Sequence, residues 1–180
     1  MEPLSGTGYV ILGMLALGVR TGYDIKASVD QSTRFFWAAS YGQIYPELRR
    51  LEEAGLVEGE SSPTGARKRK EYRLTATGRA ELLRWLETPA SMPELRDESL
   101  LKLFFADALP VEKAVEQLRM RRVGHEEFLG LLREIEVRAA DDPTFVNLVL
   151  GYGIAYAEFN IAWCEAEERR LDRATHEAAA

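Results

Sequence analysis

Cysteine, histidine and the glycine loops that cradle phosphate are nearly missing from this chain. A single cysteine, Cys164, excludes an intramolecular disulfide and a thiolate metal cluster. A reducing, cytoplasmic setting is the expectation that follows. The two histidines, His125 and His176, stand far apart in sequence, and His125-Glu126-Glu127 lacks the second histidine of a zinc-binding helix. No metal ligands are therefore expected. Neither a G-x-S-x-G elbow nor a framed aspartate pair is present. These absences exclude the common catalytic constellations, so no catalytic residue and no cofactor are expected. Cys164 reads as packing rather than as a nucleophile, and His125 reads as a helix-seam residue rather than a base. No basic region precedes the first apolar run, so no signal peptide is expected. Residues 145–163 form the one run apolar enough to resemble a membrane span. It contains Asn147, Glu158 and Asn160. A carboxylate in lipid costs on the order of a few kcal/mol, so a buried helix and no membrane partner are expected.

Positive charge is also scarce. The 180 residues carry 23 Lys and Arg against 29 Asp and Glu, a net charge of −6, which argues against a general nucleic-acid coat. The deficit is uneven. Residues 1–88 hold 12 basic and 11 acidic side chains, a net of +1, whereas residues 89–180 hold 11 and 18, a net of −7. Within the first half the basic residues cluster as Arg67, Lys68, Arg69 and Lys70, with Arg73 close behind. An acidic body with one local basic edge suits a protein that meets a polyanion through a single face.

Residues 8–17, GYVILGMLAL, are apolar on nearly every side and predict a helix central to a small core. Thr21 is placed to cap a second helix over residues 23–32, with Ile25 and Val29 inward. Phe35, Phe36 and Trp37 follow and are expected to plug the gap between helices. Residues 40–60, SYGQIYPELRRLEEAGLVEGE, carry the most information. Ser40 and Gln43 have the spacing of an S-x-x-Q capping box. Ile44, Leu48 and Leu51 recur on one helical face, leaving Tyr41, Gln43, Tyr45, Arg49 and Arg50 to point elsewhere. Pro46 either bends this helix or delays its regular part. Gly55 ends it, and Leu56-Val57-Glu58 begins a strand. Residues 61–66, SSPTGA, are turn-forming, and residues 71–75 alternate Tyr72 and Leu74 inward as a second strand.

Helix, strand, basic loop, strand is the plan of a winged helix-turn-helix, whose helix enters a major groove while the loop meets the backbone or minor groove. Residues 75–86 predict a further helix, with Leu82, Leu83, Trp85 and Leu86 available to pack. Two prolines in residues 88–97 mark a boundary. The expected organisation is a winged-helix domain over residues 1–88 and a helical domain over residues 89–180. The fold class is mainly α with a small two- or three-stranded antiparallel wing.

In the second half a short apolar helix is expected over residues 98–109. A long one should start with Pro110 at its first position and run to about residue 140. Val111, Val115, Leu118, Leu129 and Leu132 form its seam, interrupted by Arg122 and His125. Asp142 and Pro143 predict the start of a last helix reaching about residue 173. That helix has one stripe of Phe145, Leu148, Tyr152, Tyr156, Phe159 and Trp163, and further apolar residues off it. A lone hairpin cannot cover both faces, so a homodimer built through residues 98–173 is expected; packing on the N-terminal half is the alternative.

ILGMLAL (11–17), GYDI (22–25), GQIYPELRRLEEAGLV (42–57) and KEYRLTATGRAELLRWL (70–86) resemble the PadR-type transcriptional regulators. The resemblance is dense over the first half, while the second half fits in length and helical character. It implies a winged helix followed by a helical dimerisation domain, and repression relieved by small phenolic or drug-like effectors. It also implies that the helix bearing Gln43 and Tyr45 enters the major groove of double-stranded DNA and that the basic turn before Tyr72 touches the duplex. Arg67 stands where the family commonly has proline.

The candidate DNA-binding residues are Tyr23, Ser40, Tyr41, Gln43, Tyr45, Arg49, Arg67, Lys68, Arg69 and Lys70. Tyr23 enters as a backbone contact by resemblance alone. Gln43 has two open roles, reading an adenine or capping its own helix. Tyr45 meets phosphate or base, or joins the core; Arg49 reaches phosphate or lies on a solvated face. Trp85, Tyr152, Tyr156 and Trp163 are candidates for a small aromatic effector site, with ordinary interface core as the other reading. The expected function is a sequence-specific regulator that acts as a repressor on a near-palindromic operator. The alternatives are a winged helix used for protein interaction without operator specificity, and a ligand-carrying helical protein whose wing is idle. Steep salt dependence of DNA binding separates the first from both.

Overall fold

The computed structural model describes residues 4–62, 69–138 and 145–178. The chain divides into two compact units, Met1–Met92 and Pro93–Ala180. Each is built on its own physical logic.

The first unit runs α1 (Gly6–Ala16), α2 (Gly22–Gln31), a short 3-10 turn (Thr33–Phe35), α3 (Tyr41–Glu53), β1 (Val57–Ser62), β2 (Arg69–Leu74) and α4 (Ala76–Glu87). The two strands pair antiparallel, with Val57 opposite Leu74 and Ser62 opposite Arg69. The turn expected over residues 61–66 therefore begins later, because Ser61 and Ser62 still pair; the remainder of that stretch lies outside the described residues. Caps set the helix starts. Ser5 accepts from Gly8 N–H, Thr21 from Asp24 N–H and Thr75 from Gly78 N–H, each satisfying a donor the helix leaves unpaired.

Ile11, Leu12, Leu15, Ile25, Val29, Ile44, Leu48, Leu51, Leu56 and Val57 form the core, with Tyr72 and Leu82 against it. Each such side chain contributes on the order of 1.5–3 kcal/mol by leaving water. Gly55, at φ 69°, ends α3 in the left-handed region. Gly78 serves a different need. A Cβ there would sit 1.9 Å from the carbonyl oxygen of Leu56, so only glycine lets α4 start against the backbone just before β1. Thr75 Oγ1 donates to Gly55 O at 2.8 Å and locks the same junction.

Two packing expectations hold only in part in this unit. Phe36 and Trp37 do not plug the core. They are 52% and 48% exposed, and Trp37 instead covers Gly6 at the start of α1. Of the four residues offered by α4, Leu82 is buried and Trp85 packs on the core residue Tyr9, whereas Leu83 and Leu86 stay exposed on the far side of this short helix. Pro46 lies inside α3, which is regular from Tyr41 onward, so its start is not delayed.

The second unit runs α5 (Glu98–Phe104), a 3-10 turn (Ala106–Ala108), α6 (Val111–Arg138) and α7 (Phe145–Ala178). The helix expected over residues 98–109 stops at Phe104. Asp97 caps it, accepting from Ser99 N–H and Leu100 N–H. Pro110 lies one position before α6 rather than inside it, its carbonyl accepting from Lys113 and Ala114. Asp142 and Pro143 lie outside the described residues. α6 and α7 pack along each other, burying Val115, Leu118 and Leu132 against Ile154, Ala157 and Cys164.

That choice of face leaves most of the large aromatic stripe outside the hairpin. Phe145, Leu148, Tyr152 and Phe159 are 87%, 67%, 65% and 67% exposed. The smaller residues of α7 go inward because they let two long helices approach closely. Only 22% of the most apolar window of Phe145–Ala174 is buried, although by length and composition this helix could cross a membrane. The seam of α6 keeps Val115, Leu118 and Leu132, but the arginine buried beside it is Arg121, at 8% exposure, rather than Arg122.

Candidate nucleic-acid interface

α3 turns Ile44, Leu48 and Leu51 inward, each fully buried. Its opposite face therefore presents Tyr41, Gly42, Gln43, Tyr45, Arg49 and Arg50 to solvent. At its start Gln43 folds back on Ser40. Its Oε1 accepts from the Ser40 N–H at 2.9 Å and from the Ser40 hydroxyl at 3.1 Å. The capping role left open by the sequence is thus taken up, at least by the carbonyl end of the amide.

Three tyrosines form a continuous exposed stack beside this turn. The rings of Tyr23 and Tyr41 lie 6.5 Å apart and 22° from parallel; those of Tyr41 and Tyr45 lie 6.1 Å apart at 18°. Tyr41 and Tyr45 are one helical turn apart, so i,i+4 geometry brings them together. Tyr23 arrives from the start of α2, where Gly22 makes room: a Cβ at Gly22 would lie 2.8 Å from the Tyr45 ring. Lys26 sits over the Tyr41 ring at 5.7 Å. Sequence reasoning named the three tyrosines singly but missed that they touch. The i,i+4 spacing was the available signal for one pair, while the α2 contact had none.

Arg67 and Lys68, the first half of the basic run, lie outside the described residues, and of Arg69 only the strand backbone is described. Lys70 is engaged within the chain. Its ammonium donates to Glu52 at 2.6 Å and lies 5.3 Å from the centre of the Tyr72 ring. The Glu52 hydrogen bond raises the Lys70 pKa. This lysine ties β2 to α3, so its charge already has an internal counterpart. Arg50 similarly approaches Glu47 at 3.7 Å.

An exposed helix face beside a two-stranded wing has counterparts among known proteins. Residues 11–84 match the transcriptional regulator PadR-like family, and residues 95–172 match a virulence activator alpha C-terminal model. The negative transcriptional regulator PadR of Bacillus subtilis is 31% identical over 176 residues, covering 92% of this chain and 97% of that protein. This chain belongs to the PadR-like family of transcriptional regulators. The crystal structure of Bacillus subtilis PadR in complex with operator DNA superposes with a TM-score of 0.83 at 29% identity, covering 91% of this chain and 98% of the other. The same regulator in complex with p-coumaric acid gives 0.77 at 28%, covering 92% and 98%.

In this PadR-like chain the effector candidates fall in different units. Trp85 belongs to the first unit and stacks flat on Tyr9, with ring centres 4.4 Å apart and 9° between planes. The Tyr9 hydroxyl donates to Glu81 at 3.0 Å, and burial followed by that carboxylate raises its pKa. Tyr152, Tyr156 and Trp163 lie on α7. Tyr152 and Tyr156 stack at 6.5 Å, and His125 meets Tyr156 edge-on at 5.6 Å. A separate groove of about 580 Å³, lined by Leu101, Lys102, Phe105 and Leu109 among others, contains none of the four.

A polar cluster inside the second unit had no signal in the sequence. Arg121 donates to Asp97 at 2.7 Å and to Asn160 at 2.6 Å, and also bonds Ser99. Burial pushes the Asp97 carboxyl up. Hydrogen bonds from Ser99, Arg121 and Leu100 N–H outweigh it and hold the pKa at about 2. Arg121 Nε and His125 Nδ1 are buried without a hydrogen-bond partner among the described residues. Burial, then the Arg121 charge, lowers the His125 pKa, and burial raises that of the enclosed Cys164 thiol.

Proposed function

We propose that this PadR-like regulator represses transcription by binding a near-palindromic operator as a homodimer, and that a small aromatic effector releases it. The observation that carries this is likeness over nearly the whole chain to a negative regulator whose structures hold operator DNA and p-coumaric acid. Residues 1–88 bind the duplex, and residues 89–180 form the dimer and carry the effector response. The protein works in the cytoplasm, where its DNA is, and is not an enzyme.

The exposed face of α3 lies in the major groove. Ser40, Tyr41, Gln43 and Tyr45 face bases or phosphates near its start, and Arg49 reaches the backbone one turn later. Tyr23, from α2, meets the flanking backbone. Arg67, Lys68 and Arg69 follow phosphates as a wing, supplying affinity with little sequence preference. Lys70 braces the wing through Glu52. A second copy covers the exposed α7 residues Phe145, Leu148, Tyr152 and Phe159, since a single helical hairpin leaves them in water. Two-fold symmetry then sets the half-sites about 10 bp apart or a multiple of that. An effector held by Trp85, Tyr152, Tyr156 or Trp163 acts by favouring one spacing of the two recognition helices.

Footprinting at saturating protein, together with the salt dependence of affinity, tests this. A symmetric footprint and a log–log salt slope of about one unit per phosphate contact are expected. Protection of one asymmetric half-site would sink the operator model, and salt-independent binding would favour the protein-interaction reading.

A further inference from the structure

We propose that Gln43 reads guanine, through its amide nitrogen alone, while its carbonyl oxygen is reserved for closing the start of α3. This rests on the operator-binding reading above and concerns the base it selects. The orientation of the amide is settled by chemistry, because oxygen and nitrogen are otherwise nearly interchangeable in shape. The Ser40 N–H is purely a donor, so the atom 2.9 Å from it is the acceptor Oε1. The Ser40 hydroxyl reaches the same atom at 3.1 Å. An amide oxygen has two lone pairs, and both are therefore engaged. With Oε1 turned back to Ser40, Nε2 lies on the other side of the amide carbon. Gln43 is exposed in the first turn of α3, the part of a recognition helix that meets base edges. Gly42 beside it is open, with only Ser40 Oγ near a would-be Cβ, at 3.8 Å.

The two-point contact of glutamine with adenine needs both ends of the amide, the oxygen accepting from N6 and the nitrogen donating to N7. In this chain the accepting end is spent. What remains is a pair of donors, and guanine alone presents two adjacent acceptors, N7 and O6, in the major groove. Adenine sets a donor beside its N7, and thymine offers one acceptor beside a methyl group. The capping box thus converts an adenine-reading side chain into a guanine-reading one.

The substitution Gln43→Glu separates the two roles, because glutamate in an S-x-x-E box still accepts from Ser40 but presents only acceptors outward. Duplexes would be selected from random DNA with the wild-type protein and with Gln43→Glu, and thermal unfolding of both followed. We expect guanine at one position of each half-site for the wild type. For Gln43→Glu we expect an unreduced unfolding midpoint and a switch to cytosine there, with discrimination of about tenfold. Replacing that guanine by 7-deazaguanine should weaken the wild type about fivefold, a result independent of whether the variant folds. Adenine at that position, an unchanged preference in Gln43→Glu, or indifference to 7-deazaguanine would each overturn the proposal. A wild-type protein with no sequence preference would instead remove the operator-binding reading, and this one with it.

Discussion

The two units spend similar amounts of apolar sequence in opposite ways. The first closes on itself: Ile11, Leu12, Ile25, Ile44, Leu48, Leu51 and Leu56 are all fully buried. The second buries small or medium residues such as Ile154, Ala157 and Cys164, places a charged guanidinium between its long helices, and leaves Phe145, Leu148, Tyr152 and Phe159 in solvent. A unit that completes its own core frees one polar face to meet a ligand. A unit that leaves its largest side chains outside is unfinished without another surface. The first unit is thus a self-sufficient fold, and the second presents the apolar surface that the proposed dimer would cover.

The contrast is broken most severely by Leu48→Ala. It should destabilise the first unit by about 3 kcal/mol, seen as earlier loss of Trp37 and Trp85 fluorescence on urea titration. A Leu48→Ala protein as stable as the parent would mean the first unit does not stand on its own core.

Arg121→Ala tests the corresponding centre of the second unit. It leaves Asp97 and Asn160 without their cation, a change that costs about 3 kcal/mol in buried clusters, to be measured by urea unfolding followed at Trp163. The same cluster predicts acid sensitivity. Asp97 is lowered from its ordinary 3.8 to about 2 in the folded chain. Its stabilisation is therefore complete above about pH 4 and is lost as pH falls through about 2, a loss of about 2 kcal/mol. Asp97→Asn should flatten that part of the pH–stability curve; an unchanged curve would remove Asp97 from the account.

Phe159→Asp sharpens the comparison from the surface. Because Phe159 is 67% exposed in one chain, its replacement should leave helical circular dichroism intact while light scattering reports a shift from dimer to monomer. Loss of helix with no change in mass would show that the stripe belongs to the fold of one chain.

The smallest effect concerns the wing. Arg67→Ala should flatten the salt slope of DNA binding by about one unit. Lys70→Met should flatten it by less, since Glu52 already meets that charge. Equal slopes for the two variants would show that Lys70 leaves Glu52 for phosphate.

Much of the first unit was legible because local chemistry and burial agree there. Thr21, Ser40, Thr75 and Gly55 signal boundaries by their own backbone preferences, and Ile44, Leu48 and Leu51 repeat at the helical period. The inward–outward split of α3 follows directly. The face of α7 was not legible, since both of its apolar stripes satisfy the same periodicity. Packing chose Ile154 and Ala157 over Phe159 because close helix approach favours smaller side chains. Arg121 escaped notice for a related reason. One charged residue in an arginine-rich helix looks solvated until Asp97 and Ser99, at the start of α5, and Asn160, from α7, converge on it.

Sequence alone determined the family, the order of elements, the helix caps at Thr21 and Ser40 and the polar face of α3, all of which depend on residues close together in the chain. Tertiary structure alone decided which atoms that face still offers. Tyr23 joins Tyr41 and Tyr45 only when α2 meets α3, Lys70 loses its free charge only when β2 lies beside Glu52, and Gln43 keeps its donors but not its acceptor only once the helix start has closed. A hydrogen bond formed within the fold removes a group from recognition, and which bonds form depends on three-dimensional neighbours that composition and spacing do not specify.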